Sequence, residues 1–327
     1  MFEAEKCDLC GQCLEFCPYV DYDLERAQQE MHELVAGGAP PITGLCVTCA
    51  ACNSICPNQA NPFDLLNQRQ EETGALGIPE QAIQNFAKFH RLPTVVKRGQ
   101  AGKPVMNLCM VGDMVRDLLD NPLFEGLTLV EGADYFCTVG YIHLGKPSVI
   151  KKEAQRFIDN LAALGASEVV CFHDDCYAML TTLADEYGLK VPFRPVHLFE
   201  YLYLELEKRR DTIRQVPIRV AYQSPCASRY TPAKEVYLDR IFQLLGVERP
   251  ARQYEGLKAL CCGAPLMARD RDRAAVVKKW NLDDAKSAGA DALIFLCPMC
   301  YLNLRKMARE AGMEAILITE LCRRALG

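Results

Sequence analysis

The stretch "LGASEVVCFHDDCYAMLTTLADEYGLKV", residues 164–191, lies without a gap over "AGADALIFLCPMCYLNLRKMAREAGMEA", residues 288–315. Gly165 answers Gly289, Cys176 answers Cys300, Tyr177 answers Tyr301 and Gly188 answers Gly312. Each copy opens on a short β-rich run, passes a cysteine-bearing turn and continues at helical spacing. Self-similarity of this kind marks a repeated supersecondary unit. Upstream, "ADYFCTVG" (133–140) answers "LKALCCGAP" (257–265), and "VMNLCMVG" (105–112) answers "RVAYQSPCASRY" (219–230). The strands "PVMNL", "SEVVCF", "IRVAYQ" and "DALIFL" alternate with helical stretches such as "AVVKKWNLDDAKSAG". That alternation predicts parallel open sheets with helices packed against them, and ligands gather beyond the carboxyl ends of such strands. The cysteines sit there.

The chain has 327 residues, half of them hydrophobic, enough for two or three compact domains. Its opening "MFEAEKCDLCG" shows neither the basic region nor the apolar run of a secretory signal. Eighteen cysteines in such a chain point to metal ligands rather than disulfides. No apolar run is long enough for a membrane span. The formal net charge is −5 and there is no long basic stripe, which argues against nucleic acid as a partner.

Two further segments share one spacing. "CDLCGQCLEFCP" places Cys7, Cys10, Cys13 and Cys17 before Pro18; "CVTCAACNSICP" places Cys46, Cys49, Cys52 and Cys56 before Pro57. This is the C-x2-C-x2-C-x3-C-P run of bacterial ferredoxins, in which the fourth cysteine serves the other cluster. The spacing predicts one [4Fe–4S] cubane on Cys7, Cys10, Cys13 and Cys56, and a second on Cys46, Cys49, Cys52 and Cys17. Zinc sites use paired cysteines instead of this triple plus one. Between and after the runs, "YDLERAQQEMHELVAGG", "PFDLLNQRQEE" and "EQAIQNFAKFH" read as amphipathic helices. The expected organisation is a helical domain over 1–95, a linker in "HRLPTVVKRGQAGKP" (90–104), and repeats over 104–215 and 216–327.

The second repeat carries Cys226, the pair Cys261 and Cys262 before Gly263, and Cys297 with Cys300. Gly263 and Pro265 provide the tight turn that adjacent ligands need. The bland alternative is a set of buried apolar thiols. The spacing resembles the CCG cysteine-rich domain found in heterodisulfide reductases and in iron–sulfur subunits of glycolate, lactate and glycerol-3-phosphate oxidation. Two ferredoxin runs followed by two CCG repeats resemble the fused heterodisulfide reductase subunit (ferredoxin subunit plus catalytic subunit). The resemblance implies an α-helical ferredoxin-like domain followed by two α/β CCG repeats with parallel sheets. It implies a noncubane [4Fe–4S] cluster on Cys226, Cys261, Cys262, Cys297 and Cys300, the catalytic set for disulfide cleavage. It implies flavoprotein or other redox subunits as partners, a membrane cytochrome among them, in a cytoplasmic complex of anaerobic metabolism. The alternative is an electron-transfer subunit of a flavin-dependent dehydrogenase or electron-bifurcating complex, without substrate chemistry of its own.

The first repeat departs from the pattern. It keeps Cys109, Cys137 and Cys176, but Phe136 stands at the first place of the cysteine pair, Thr138 at the glycine, and His173 where the second repeat has Cys297. Cys109, Cys137, His173 and Cys176 form a candidate further iron–sulfur or metal site, with Cys171 in reserve, since imidazole replaces thiolate in some iron–sulfur centres. Otherwise the repeat is vestigial, and His173 and Asp174 only cap the following helix. His143 follows the first cysteine turn and either faces the site or has a surface or packing role; His197 reads as a structural helix start, Cys322 as a core thiol and Trp280 as mid-helix packing. There is no G-x-G-x-x-G after a strand and no Walker loop, so any flavin must belong to a partner.

Overall fold

The computed structural model describes residues 1–327, apart from the side chain of Leu257. The chain begins with short helices wound around the cysteine loops. Helix Leu24–Val35 starts where Asp23 accepts a hydrogen bond from the Arg26 amide, and it buries Ala27, Met31 and Leu34 on one stripe. Buried Glu30 on the same stripe is satisfied by Arg26 Nε at 3.1 Å and the Ile42 amide at 2.8 Å. Helix Pro62–Thr73 starts on proline and stops at Gly74, whose φ of 68° is left-handed. Helix Glu80–Ala87 follows.

Two sheets come next. The first holds β1 (Val95–Lys97), β2 (Val105–Cys109), β3 (Thr128–Glu131), β4 (Glu168–Cys171) and β5 (Arg194–His197), in the order β1-β3-β2-β4-β5. The second holds β6 (Val220–Gln223), β7 (Ala292–Phe295) and β8 (Glu314–Leu317) in that order. All pairs are parallel except β1 with β3, where Val95 faces Glu131. The first sheet is therefore mixed, which corrects the expectation of wholly parallel sheets. Part of the expected linker becomes its antiparallel edge; three residues with Pro and Gly nearby carry too little alternation to be read as a strand. The repeats correspond as β2 to β6, β4 to β7 and β5 to β8. The counterpart of β3 is reduced to a single parallel bridge between Arg219 and Glu248.

Strand alternation divides the core. Val169 and Cys171 pack with the amino-terminal helices, whereas Val170 and Phe172 face the second sheet. In β7, Ala292 and Ile294 join that shared middle layer, while Leu293 and Phe295 pack outward. Helices Leu198–Glu207, Glu235–Leu245 and Ile318–Arg324 fill the middle layer, with Cys322 buried among them. The helix after β4 is α at Asp174–Ala178 and π at Met179–Leu183, whereas its counterpart Pro298–Glu310 is α throughout. Trp280 is 41% exposed, against the expectation of a packed residue.

Candidate metal centres

Cys7, Cys10, Cys13 and Cys56 face one small cavity beside Met31, Ala60 and Pro62. Both ferredoxin-type loops repeat one backbone pattern. Leu9 and Gly11 in the first, and Thr48 and Ala50 in the second, have φ between 57° and 76°. A left-handed non-glycine residue costs about 1–2 kcal/mol, so the turns are held by their surroundings. Such turns form nests of inward N–H groups that suit anionic centres. Gly11 has no alternative, because a Cβ there would meet the Gln28 backbone nitrogen at 2.8 Å. The Thr48 amide donates to Cys46 Sγ at 3.2 Å and the Ala60 amide to Cys56 Sγ at 3.4 Å. Burial, with Cys56, Cys10 and Cys7 nearby, pushes the Cys13 thiol up to about 12. Burial likewise raises Cys46, Cys49 and Cys52, with Cys17 close to all three.

The second loop abuts the second repeat. Cys49 packs with Cys261, Cys226 and Tyr19. The Cys261 amide donates to the Tyr19 hydroxyl at 2.6 Å. Arg269 donates to the Gly44 and Cys46 carbonyls, and Arg273 to the Leu45 and Tyr19 carbonyls, fixing the loop against helix Arg271–Ser287.

Within the second repeat, Cys226 and Cys261 sulfurs lie 3.8 Å apart. Gly263 has φ 79°, and a Cβ there would meet the Ala274 carbonyl at 3.1 Å. This glycine lets its amide donate to Cys261 Sγ at 3.3 Å while Cys262 turns to the other side, into a cavity it shares with Cys226, Cys297 and Cys300. Cys297 caps helix Pro298–Glu310 by accepting from the Cys300 amide. Contact with Cys300, then the His173 ring, holds the Cys297 thiol down to about 5 against burial.

In the first repeat, the sulfurs of Cys109, Cys137 and Cys176 lie within 4.8 Å of one another, all buried. Against burial, contacts from Cys137 and Cys176 hold Cys109 well below an ordinary thiol. Cys109 and Thr138 are left-handed at φ 57° and 62°, so Thr138 keeps the turn that Gly263 makes in the other repeat. Cys171 packs in the core behind them and does not line the cavity. His173 is not in this group of three. Its Nδ1 accepts from the Asp175 amide at 3.3 Å, capping Asp174–Ala178. Its Nε2 donates to Cys297 Sγ at 3.1 Å, and against burial the Asp175 carboxylate beside Nδ1, then Cys297, raises the ring well above its ordinary value. Cap and site residue are one side chain.

Both repeats face one cavity of about 440 Å³, lined by Cys109, Cys137, His173, Cys226, Cys262, Cys297 and Cys300 among others. His143 also lines it, the site-facing one of its two readings. Thr48 donates its hydroxyl to the Val47 carbonyl, so His143 Nδ1 donates to Thr48 Oγ1 at 2.9 Å. Burial holds His143 down to about 4, hence neutral. His197 starts its helix as expected, accepting from the Phe199 amide, and donates to buried Asp174 at 2.9 Å. Asp174 also accepts from Ser228 and Lys234 at 3.0 Å each, tying the first junction to the second repeat.

Sequence reasoning missed Asn107 and Gln223. Asn107 donates to the Tyr135 carbonyl and to Cys176 Sγ, and accepts from the Cys109 amide. Gln223 donates to the Leu260 carbonyl, at the matching place before the cysteine pair. The available signal was an amide in a strand buried on both faces, which must find partners.

Residues 220–305 match the family model of the CCG cysteine-rich domain. The chain is 23% identical to one of the subunits of dihydromethanophenazine:CoB–CoM heterodisulfide reductase from Methanosarcina acetivorans, over 100% of this chain and 95% of that protein. It is 20% identical to one of the subunits of fumarate reductase (CoM/CoB) from Methanothermobacter marburgensis, over 96% of this chain and 70% of that protein. Among solved structures, a hypothetical protein from Helicobacter pylori superposes with a TM-score of 0.58 at 12% identity, over 84% of this chain and 60% of that one. This last likeness is one of fold. Residues 220–305 thus resemble a CCG cysteine-rich domain, in a chain similar along its full length to a heterodisulfide reductase subunit.

Proposed function

We propose that this chain is a heterodisulfide-reductase-like iron–sulfur subunit of a larger redox complex. Residues 1–95 form its ferredoxin-like domain, with cubane clusters on Cys7, Cys10, Cys13 and Cys56 and on Cys46, Cys49, Cys52 and Cys17. Residues 104–215 and 216–327 form its two repeats, the second with a noncubane [4Fe–4S] cluster on Cys226, Cys261, Cys262, Cys297 and Cys300. The observation that carries the reading is the junction at Tyr19, where Cys49 of the amino-terminal loop packs on Cys226 and Cys261. The donor sets suit the groups. The paired left-handed turns aim amides inward, and burial raises the thiols of Cys13, Cys46, Cys49 and Cys52, so a metal is what would hold those four as thiolates. When bound, such clusters store and pass single electrons, and the noncubane centre supplies sulfur chemistry.

The residues around them position them. Arg269 and Arg273 hold the amino-terminal loop against the second repeat. His173 donates to Cys297 beside the cavity between the repeats. Flavin comes from a partner protein, and the complex works in the cytoplasm of an anaerobically living cell. No described helix is long and apolar enough to cross a membrane, so membrane attachment would come from a partner such as a cytochrome. The alternative, an electron-transfer subunit with no substrate of its own, is favoured by the first repeat, which gathers only three cysteines. Cys262→Ser tests the reading. It should abolish the noncubane EPR signal and leave the two cubane signals unchanged; loss of a cubane signal instead would refute the ligand assignment.

A further inference from the structure

Buried cations in this chain are of two kinds. Lys234 pairs with Asp174 at 3.0 Å, and Arg252, whose side chain is as deeply placed, pairs with Asp284 at 3.5 Å. Arg229 and Lys278 are buried too, yet among the described residues neither has a carboxylate within 4.0 Å. Arg and Lys are almost never buried unless paired, because a buried charge without a counter-charge is strongly unfavourable. Both of these lie against the cysteine turns of the second repeat.

Arg229 stands three residues after Cys226 in the 3₁₀ turn Cys226–Tyr230, and residues three apart in such a turn share one side. Its Nη1 donates to Ser224 Oγ at 3.4 Å and its Nη2 to the Ala259 carbonyl at 2.7 Å, on the residues two before Cys226 and two before Cys261. Both acceptors are neutral, and Nε has no partner. The turn packs on helix Ala51–Ile55 of the second ferredoxin-type loop, and the charge of Arg229 reaches Cys49. A guanidinium keeps that charge at any working pH. Lys278 runs along the turn that carries Cys262, since a Cβ on Gly263 would meet its Cγ at 3.3 Å. Its Nζ rests on Met267 Sδ at 3.2 Å, again a neutral acceptor.

We infer that Arg229, seconded by Lys278, is the fixed counter-charge of the second-repeat sulfur centre and of the adjoining centre at Cys49. The inference rests on the reading that places clusters on both sets of cysteines. Bound as thiolates, the sulfurs make each site an anion, and five thiolates bring one more negative charge than the four of a cubane. A fixed cation beside them offsets that charge and favours the reduced state, which is more negative by one electron. Arg229 is thus a positioning residue with a second task. Its fork spaces the segments before Cys226 and Cys261, and its charge sets how readily the centres beside it accept an electron.

The test is an EPR-monitored redox titration of anaerobically purified holoprotein, with iron counted per chain. Arg229→Met should lower the reduced-to-oxidised ratio of the second-repeat centre at a fixed poise by about tenfold or more, which is about 59 mV towards negative potential for one electron. The centre on Cys46, Cys49, Cys52 and Cys17 should move the same way. The cubane on Cys7, Cys10, Cys13 and Cys56, whose cavity Arg229 does not line, should move least. Arg229→Lys keeps the charge and loses the fork, and it should recover most of the shift; a purely structural arginine would leave the Lys and Met variants alike. Lys278→Met should shift the second-repeat centre in the same direction, and it carries the test if Arg229→Met sheds the second-repeat iron. Unmoved potentials in variants of normal iron content, or equal shifts in the Lys and Met variants, overturn the inference and leave the cluster reading standing. An unaltered protein without iron in the second repeat overturns the cluster reading and the inference with it.

Discussion

His173 donates one hydrogen bond to one sulfur, and the effect of removing it can be worked through. His173 is buried, with 9% of the residue exposed. Its Nε2 lies 3.1 Å from Cys297 Sγ. A hydrogen bond to a charged acceptor contributes about 1.5–3 kcal/mol. It strengthens as the centre gains negative charge, so it favours the reduced state and raises the potential. If about 1 kcal/mol of it differs between redox states, the shift is about 40 mV, taking 59 mV per 1.4 kcal/mol for one electron. His173→Ala should therefore make the second-repeat centre about 40 mV more negative in an EPR-monitored redox titration. His173→Gln, which keeps a donor, should recover much of that shift, and the cubane potentials should stay in place. An unchanged potential, or a positive shift, in a protein of normal iron content would refute the reasoning.

Other consequences concern stability. Lys234→Met leaves Asp174 buried without its cation and should destabilise the chain by about 3–5 kcal/mol in urea denaturation. Burial, against the pull of Asp174, holds His197 down to about 4, below the ordinary 6.5. Its contribution is whole above pH 6.5 and is lost as pH falls from there towards 4, because the unfolded chain takes up the proton first. The change should amount to at most about 3.4 kcal/mol over that window at about 1.36 kcal/mol per pH unit, and His197→Gln should remove it from a denaturation series across pH. Gly263→Ala forces a side chain into a left-handed turn against the Ala274 carbonyl. It should cost about 1–2 kcal/mol and lower iron content at the second repeat, measured by denaturation and metal analysis.

Much of the architecture was legible because it is local. β4 and β7 each run from a β-rich stretch into a cysteine turn and a helix, and the two copies keep that pattern without a gap. The two cysteine runs share a spacing that the sequence shows, but not the left-handed turns at Thr48 and Ala50, which no propensity favours. The edge strand at Val95–Lys97 was hidden because it owes its conformation to β3 and has no pattern of its own. His173 is the instructive case. Its sequence offered a helix cap or a ligand as alternatives. In the structure one nitrogen caps and the other reaches Cys297, 124 residues away, a contact no local pattern encodes. The two readings of His143 stayed open for the same reason, since its partner Thr48 lies 95 residues earlier.

Iron should be present on both sides of the Tyr19 junction. The direct measurement is iron and acid-labile sulfide per chain on anaerobically purified protein, with EPR after oxidation. About twelve irons, four for each of three clusters, with one signal unlike a cubane, is the predicted result. About eight irons, all in cubane signals, would confine the metal to the ferredoxin-type loops and contradict a cluster on Cys226, Cys261, Cys262, Cys297 and Cys300.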